Sequence, residues 1–494
     1  MTAQALSESD LAAVIGLEVH VQIETNTKVF CGCSTEPADE PNVNTCPVCL
    51  GLPGSLPVVN EAVVEAAVKV GRAIDADVPD ETAFHRKNYY YPDLPKNFQI
   101  TQYDAPLCAD GRLAFAHEGD RRTVAIRRAH VEEDPGSMRH QGGTIDTADY
   151  TLIDYNRAGI PLMEIVTEPD FRSPSEVRSF LSKLEEVLEY LDVFDSSRDG
   201  SLRVDANISM VPTSDVADDG TIDESTLEAA NRTEVKNITS HRAAEKALAY
   251  EATRQRNAIE RGEAVTQETR HWDEGRGITV SMRAKEEEKD YRYFREADLP
   301  PLQVADWKER VSIPELPDAR RERFQEAYGL SAEAASKLTS TKAVADFYER
   351  IADRFDPELA ATWVADTLLG ELNYRDRSIT GVEDRLDEFE RLIAMVEGDE
   401  ITEKNAEEVA LRTMLDDGVG PDTVAEREGL GKTSGDAVRT AVETVVDGNP
   451  DAVDDYTDGN DDALNYLVGR VMAETGGSAD PDDVNRLLRD TLAN

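Results

Sequence analysis

The chain of 494 residues has no run approaching the ~20 consecutive apolar residues that a membrane span requires. Met1 to Asp10 is polar and has no signal-peptide core, so the expectation is a cytoplasmic protein without a membrane partner. Positive charge is also short: 53 Lys and Arg face 100 Asp and Glu, a formal net charge of −47. Lys and Arg displace counterions from phosphates, so this balance ordinarily argues against nucleic acid. Here the acid is spread along almost every predicted helix face and Lys is scarce beside Arg, which reads as whole-surface adaptation to a salt-rich cytoplasm. In molar salt the Debye length falls to about 3 Å, so self-repulsion is screened and nucleic-acid binding rests on short-range contacts. Net charge therefore excludes little. Common signatures are missing too: there is no G-x-S-x-G elbow, zinc-protease motif or dinucleotide fingerprint. Gly429-Leu-Gly-Lys432-Thr433 resembles the end of a phosphate loop, but Glu426 stands where the leading Gly belongs, so it reads as a turn.

Cysteine is sparse, yet four of the five fall in Cys31-Gly-Cys33 and Cys46-Pro-Val-Cys49, separated by twelve residues, with Cys108 alone. Two close pairs on turns can meet around a tetrahedral ion. In a reducing cytosol a structural zinc is the favoured reading, against a labile disulfide or free thiols. Four protein ligands leave no open position, so the ion would brace a loop, contributing on the order of 10 kcal/mol to its folding.

The run HRKNYYYPDLPKNFQITQYD, His85 to Asp104, crowds charged, amide and aromatic side chains together, with Pro92 and Pro95 keeping it out of a helix. Such density beside Arg86, Lys87 and Lys96 suits a nucleotide or nucleic-acid ligand, although a Tyr-rich packed loop is the plainer reading of a shorter run.

The length predicts roughly two to four domains. Residues 14 to 24 alternate, with Ile15, Leu17, Val19, Val21 and Ile23 on one face and Glu18, His20, Gln22 and Glu24 on the other. SLRVDANISM sets Arg203, Asp205 and Asn207 on one face in the same way, and RTEVKNI, GITVSMRAK and TVAIRRAHVEED are further strands. The fold class expected is α+β: an antiparallel-sheet cradle over residues 1–295 with flanking helices, then an all-α connector at 296–410 and a small helical tail at 411–494. Ser173, Pro174 and Glu176 form a capping box that opens one helix, and a second runs through AAEKALAYEATRQRNAIERG to Gly262. The acidic stretch from Pro212 to Ala230 reads as an exposed insertion.

Glu18 and His20, two apart on one strand, share a side; carboxylate plus imidazole begins a divalent-ion site, and a surface pair is the competing reading. The cluster Glu132-Glu133-Asp134 and Glu268 offer further carboxylates to the same sheet face. Such a pool fits magnesium and phosphoryl transfer, in which the protein mainly positions and neutralises charge.

EVHVQIET, CPVCLGLPGSLPVVN, RKNYYYPDLPKNFQITQYD, HVEEDPGS, DYNRAGIPLMEIVTEPD, EVKNITS and DYRYF occur in the order seen in one family. From Gly16 onwards the chain resembles the B subunit of the tRNA-dependent amidotransferases (GatB). The resemblance implies a ligase that uses ATP to phosphorylate the side-chain carboxylate of a misacylated Asp-tRNA(Asn) or Glu-tRNA(Gln), after which ammonia displaces phosphate. Ammonia would come from a partner amidase, the A subunit, with a small C subunit clasping the pair; no Ser-Ser-Lys amidase pattern occurs here. By motif position Glu18, His20 and Glu133 match the family's magnesium ligands, with Glu268 aligned to another. Arg86, Lys87, Lys96 and Arg157 are implied phosphate or carboxylate contacts. Cys31, Cys33, Cys46 and Cys49 match a zinc knuckle that some members carry. The tail blocks resemble a tRNA-contacting domain, but Asn460, Asp461 and Asp462 stand where relatives often carry Lys. An archaeal E subunit is disfavoured because residues 296–410 leave no room for its large insertion. A non-catalytic, zinc-braced tRNA carrier is the alternative from another class.

Overall fold

Alternation along the first strand decides the architecture. Leu11–Gln22 buries Ile15, Leu17, Val19 and Val21 almost completely and turns Glu18 and His20 to the other side. The strand becomes the centre of an eight-stranded sheet in the order Ile278–Ser281, Glu268–Asp273, Thr233–Ile238, Leu202–Pro212, Leu11–Gln22, Pro161–Thr167, Asp120–Glu133 and Cys108–His117. The computed structural model describes residues 11–89, 91–142, 148–198, 200–217, 220–282, 291–431, 435–457 and 460–492. Met1 to Asp10, Tyr90 of the aromatic run, Asp218 and Asp219 of the acidic insertion, Arg283 to Lys285, Asp290, Lys432 and Thr433 lie outside the described residues.

The sheet is mixed and not wholly antiparallel: Thr233–Ile238 and Glu268–Asp273 run parallel. Parallel neighbours need a crossover, and the helix His241–Glu260, capped by Ser240, supplies it. Sequence alternation identifies strands but carries no direction, which is why the expectation of an antiparallel sheet misses this pair. The helix Pro174–Tyr190 starts on the expected capping box at Ser173 and Glu176. It buries Val177, Phe180, Leu181, Leu184 and Leu188 in one apolar core with the strand residues Ile15, Val19, Ile165 and Ile208. The aromatic run folds as a hairpin, His85–Asn88 against Phe98–Thr101, and Phe294–Arg295 adds a third strand beside His85–Asn88.

The chain divides into two compact units, residues 1–317 and 318–494. The second unit is helical in its described residues and contains two separate apolar clusters, one from Phe324 to Leu430 and one from Val438 to Leu488. Among the described residues no helix is long and apolar enough to cross a membrane.

Candidate functional site

The sheet face opposite the two helices gathers charge. In register, Glu18 lies beside Asp205, His20 lies between Arg203 and Glu164, and Glu164 lies beside His130 on the next strand. His20 Nε2 is 3.7 Å from Glu132 Oε1 and 3.6 Å from Glu164 Oε2, and His130 Nε2 is 3.5 Å from the same Glu164 oxygen. Ligand atoms of His20, Glu132 and Glu164 all lie within 4.8 Å of one another, and so do those of Glu18, Asp205 and Glu234. Either set could hold a divalent cation. The second offers only carboxylates, which suit magnesium, whereas the first joins two carboxylates to an imidazole, a mixed set open to magnesium through its oxygens and to transition ions through its nitrogen.

The electrostatics follow from burial. Burial, then Glu164, pushes the Glu132 carboxyl up to about 8. Burial opposes the charge of Glu164 as well, but His130, His20 and Lys87 hold it down to about 2. The two carboxyls therefore titrate as a pair, one ionised and one protonated near neutrality. Burial lowers His130 to about 4 and leaves its Nδ1 without a hydrogen-bond partner. Burial, then Glu164, raises Glu18, whose Oε1 accepts from Asn207 Nδ2 at 3.3 Å. Lys236 bridges Asp205 at 2.5 Å and Glu234 at 2.7 Å. Lys87 resists its own burial because Glu132 and Glu164 favour the ammonium, and its Nζ stands 5.0 Å from the Tyr291 ring centre. Next to Glu18 opens a groove of about 520 Å³ whose walls include Gly16, Arg127, Thr167, Asn207 and Arg232. That volume accommodates a nucleotide-sized ligand.

The sequence-derived candidates divide between the two faces. Glu18, His20 and Lys87 meet at this site. Glu133 does not, because consecutive strand residues point to opposite faces. Its carboxylate accepts from Lys96 Nζ at 2.6 Å and from the Ile100 backbone N–H at 2.8 Å, so Lys96 pairs with Glu133 away from the His20 cluster. Glu268 faces the helix side, where it meets Arg270 at 3.0 Å, Arg254 at 3.3 Å and the Ser281 hydroxyl at 2.6 Å. Arg86 is engaged with Glu296 at 2.7 and 2.6 Å and with Asp298 at 3.2 Å. Arg157 stands at the rim, donating to the carbonyls of Pro135 at 3.1 Å and Gly136 at 2.8 Å, with Asp134 at 3.5 Å. Glu164, Glu234 and Lys236 belong to the site, and sequence reasoning does not find them. A lone carboxylate in the apolar strand PLMEIVT is the available signal for Glu164.

The four cysteines Cys31, Cys33, Cys46 and Cys49 converge with their sulfurs within 4.8 Å of one another. Cys46 and Cys49 Sγ are 3.8 Å apart, the edge of a tetrahedron with metal–sulfur bonds of about 2.3 Å. A hydrogen bond from Cys31 and the nearby Lys28 help hold the Cys49 thiol down to about 5, while Cys31 is raised by the same hydrogen bond. One deprotonated sulfur is thus favoured before any ion arrives.

Comparison with known proteins agrees with this division of the chain. A family model described as GatB/GatE catalytic domain matches residues 13–309, and one described as GatB domain matches residues 346–492. The first unit therefore has a catalytic domain of the GatB/GatE class. The B subunit of the aspartyl/glutamyl-tRNA(Asn/Gln) amidotransferase of Natronomonas pharaonis is 72 % identical over 494 residues, covering 100 % of both chains. The B subunit of the same enzyme from Haloquadratum walsbyi is 69 % identical over 493 residues, covering 100 % of this chain and 99 % of its own. That of Methanospirillum hungatei is 53 % identical over 490 residues, covering 98 % and 99 %. The chain belongs to the GatB family.

Proposed function

We propose that the chain is the activating and amidating subunit of a tRNA-dependent amidotransferase. With ATP it phosphorylates the side-chain carboxylate of Asp-tRNA(Asn) or Glu-tRNA(Gln), and it then lets ammonia displace the phosphate. The partners are an amidase A subunit that supplies ammonia, a small C subunit and the misacylated tRNA. The tail, residues 411–494, is the tRNA-contacting part, and residues 296–410 connect it to the cradle formed by residues 1–295.

The observation that carries this reading is the convergence of His20, Glu132 and Glu164 beside the Glu18–Asp205–Glu234 set and a nucleotide-sized groove. The residues fit magnesium because burial and the neighbouring Glu164 carboxylate keep Glu132 protonated up to about 8, a cost that a cation between the two carboxyls would relieve. His20, Glu132 and Glu164 would hold one ion, with Glu18 at the groove side. Magnesium, when bound, neutralises charge on the ATP phosphates and the acceptor carboxylate. Lys87 presents an ammonium to the same space and favours the approach of an anionic substrate group. Lys236 holds Asp205 and Glu234 in place when no ion is present. Glu133 and Lys96 form a buried pair under the hairpin, and Arg157 fixes the Pro135–Gly136 turn at the rim. Zinc on Cys31, Cys33, Cys46 and Cys49 has no open position and braces the loop.

The test is ADP formation and tRNA amidation by the chain with its amidase partner, magnesium, ammonium and each misacylated tRNA in turn, in molar salt. Native protein should form both products, and Glu132→Gln should form neither while still binding tRNA. Amidation by native protein without ATP turnover would overturn the reading.

A further inference from the structure

Lys28 is a lysine with no exposed surface in a chain that carries 100 carboxylates. Among the described residues no carboxylate pairs with it. Its Nζ donates to the Asn44 carbonyl at 2.7 Å and the Tyr155 carbonyl at 3.4 Å, and lies 3.9 Å from Cys49 Sγ. A buried ammonium satisfied only by neutral carbonyls carries a large desolvation penalty, so it needs an anion nearby. The cysteine cluster is the anion within reach. Four thiolates around a divalent ion leave two surplus negative charges, and one ammonium halves that surplus.

The backbone is shaped to keep the contact. Val29 N–H donates to the Gly159 carbonyl at 3.0 Å, and Lys28 N–H donates to the Cys33 carbonyl at 3.0 Å. Gly159, at φ +89°, lies over the lysine stem: a Cβ there would stand 3.4 Å from Lys28 Cδ and 3.6 Å from Cys49 Cβ. Asn44 is itself held in place, its N–H donating to Asn156 Oδ1 at 2.8 Å. One side chain thus touches the metal-binding loop and the 155–159 loop, whose Arg157 reaches the Asp134 edge of the acid face.

We propose that Lys28 is the counter-charge of a tetrathiolate zinc centre and, through the Tyr155 carbonyl, the positioning residue that ties this centre to the loop carrying Arg157. The proposal rests on the zinc reading above but concerns a residue that is not a ligand. Partners just outside a metal's ligand set commonly govern its affinity by 10- to 100-fold.

The experiment uses full-length protein in molar potassium chloride as native chain, Lys28→Met and Lys28→Arg. Zinc affinity is measured by competition with a chromophoric chelator, and the thiolate-to-metal absorption by cobalt substitution. Lys28→Met should weaken zinc binding about 10- to 100-fold. It should also move the cobalt charge-transfer band to longer wavelength, because losing a nearby positive charge raises the sulfur lone pairs. Lys28→Arg, which keeps the charge, should retain the native band. Unchanged affinity with an unshifted band in Lys28→Met overturns the proposal. Failure of the native chain to bind zinc at all would instead sink the zinc reading.

Discussion

Replacing Glu132 with Gln separates what the acid face costs the fold from what it offers a cation. The Glu132 carboxyl is 3 % exposed and is pushed from an ordinary 4.5 up to about 8 by burial and then by Glu164. The unfolded chain loses this proton near 4.5 and the folded chain keeps it to about 8, so the folded state binds the extra proton between them. Stability therefore falls as pH rises through that window, by about 1.4 kcal/mol per pH unit and on the order of 3–5 kcal/mol in total. Gln stays neutral and lacks this loss. Glu164, held down to about 2, contributes stability that is present above 4.5 and lost only in acid. His130, lowered to about 4, contributes stability that is lost as pH falls below its usual 6.5, equally in both proteins. The difference curve between pH 5 and 9 thus isolates Glu132. With about 2 °C of melting temperature per kcal/mol for a large domain, metal-free Glu132→Gln should melt about 5–10 °C above native protein at pH 8 and close to it at pH 5. Magnesium at about 100 times its dissociation constant should add about 2.7 kcal/mol to native protein and almost nothing to the variant. Thermal melts in chelator and in magnesium, at molar potassium chloride, measure both effects. Parallel pH profiles for the two proteins would refute the buried-pair argument, and equal magnesium stabilisation would remove Glu132 from the cation site.

Lys96→Met leaves the Glu133 carboxylate buried without its cation, so denaturant melts should show a loss of about 3–5 kcal/mol; adding Glu133→Gln should recover much of it. Arg86→Met breaks a two-pronged bond to the buried Glu296 and should cost about 2–4 kcal/mol of stability, while magnesium affinity, read by the same melts, stays native. Binding of tRNA should weaken far less with added salt than the slope of about −0.9 per neutralised phosphate that basic duplex-binding proteins show. A steep loss in a filter-binding titration would remove the argument from salt adaptation.

The parts that are legible in the sequence share a property: each is carried by close spacing. Cys31, Cys33, Cys46 and Cys49 announce a tetrahedral cluster because two short turns suffice to build it, and their sulfurs do converge. The Ser173 capping box fixes a helix start within four residues. Glu18 and His20 share a face by period two. The acid face beyond that strand depends on which strands become neighbours, and register across strands separated by over a hundred residues leaves no local trace. In HVEED three consecutive acids read as one cluster and family position favours Glu133, yet alternation from His130 already pairs it with Glu132 and Asp134. Glu268 meets the same limit, because its register opposite the buried Thr233 turns it towards Arg254 and Arg270.

Residue parity is therefore a functional variable in this fold. On the helix-covered face the carboxylates are paired: the buried Glu251 accepts from Arg254 and Gln255, the half-buried Glu268 meets Arg270, and Phe180, Leu184 and Leu248 belong to the apolar core on that side. On the open face, Glu18, Glu132, Asp134, Glu164, Asp205 and Glu234 outnumber the cations Lys87, Lys236, Arg128 and Arg203 that stand among them. The first arrangement stabilises the protein and leaves nothing for a ligand to complete. The second is held folded by the first and keeps an excess of carboxylate that an incoming cation or a proton corrects, so occupancy and pH become coupled at one place. Protonated Glu132 is the resting correction near neutrality. A divalent ion replaces that proton, which predicts that ion binding releases protons and strengthens as pH rises from about 6 to about 8. Titration calorimetry in two buffers of different ionisation enthalpy would detect the released proton, and a heat independent of buffer would show that the ion settles on groups already ionised.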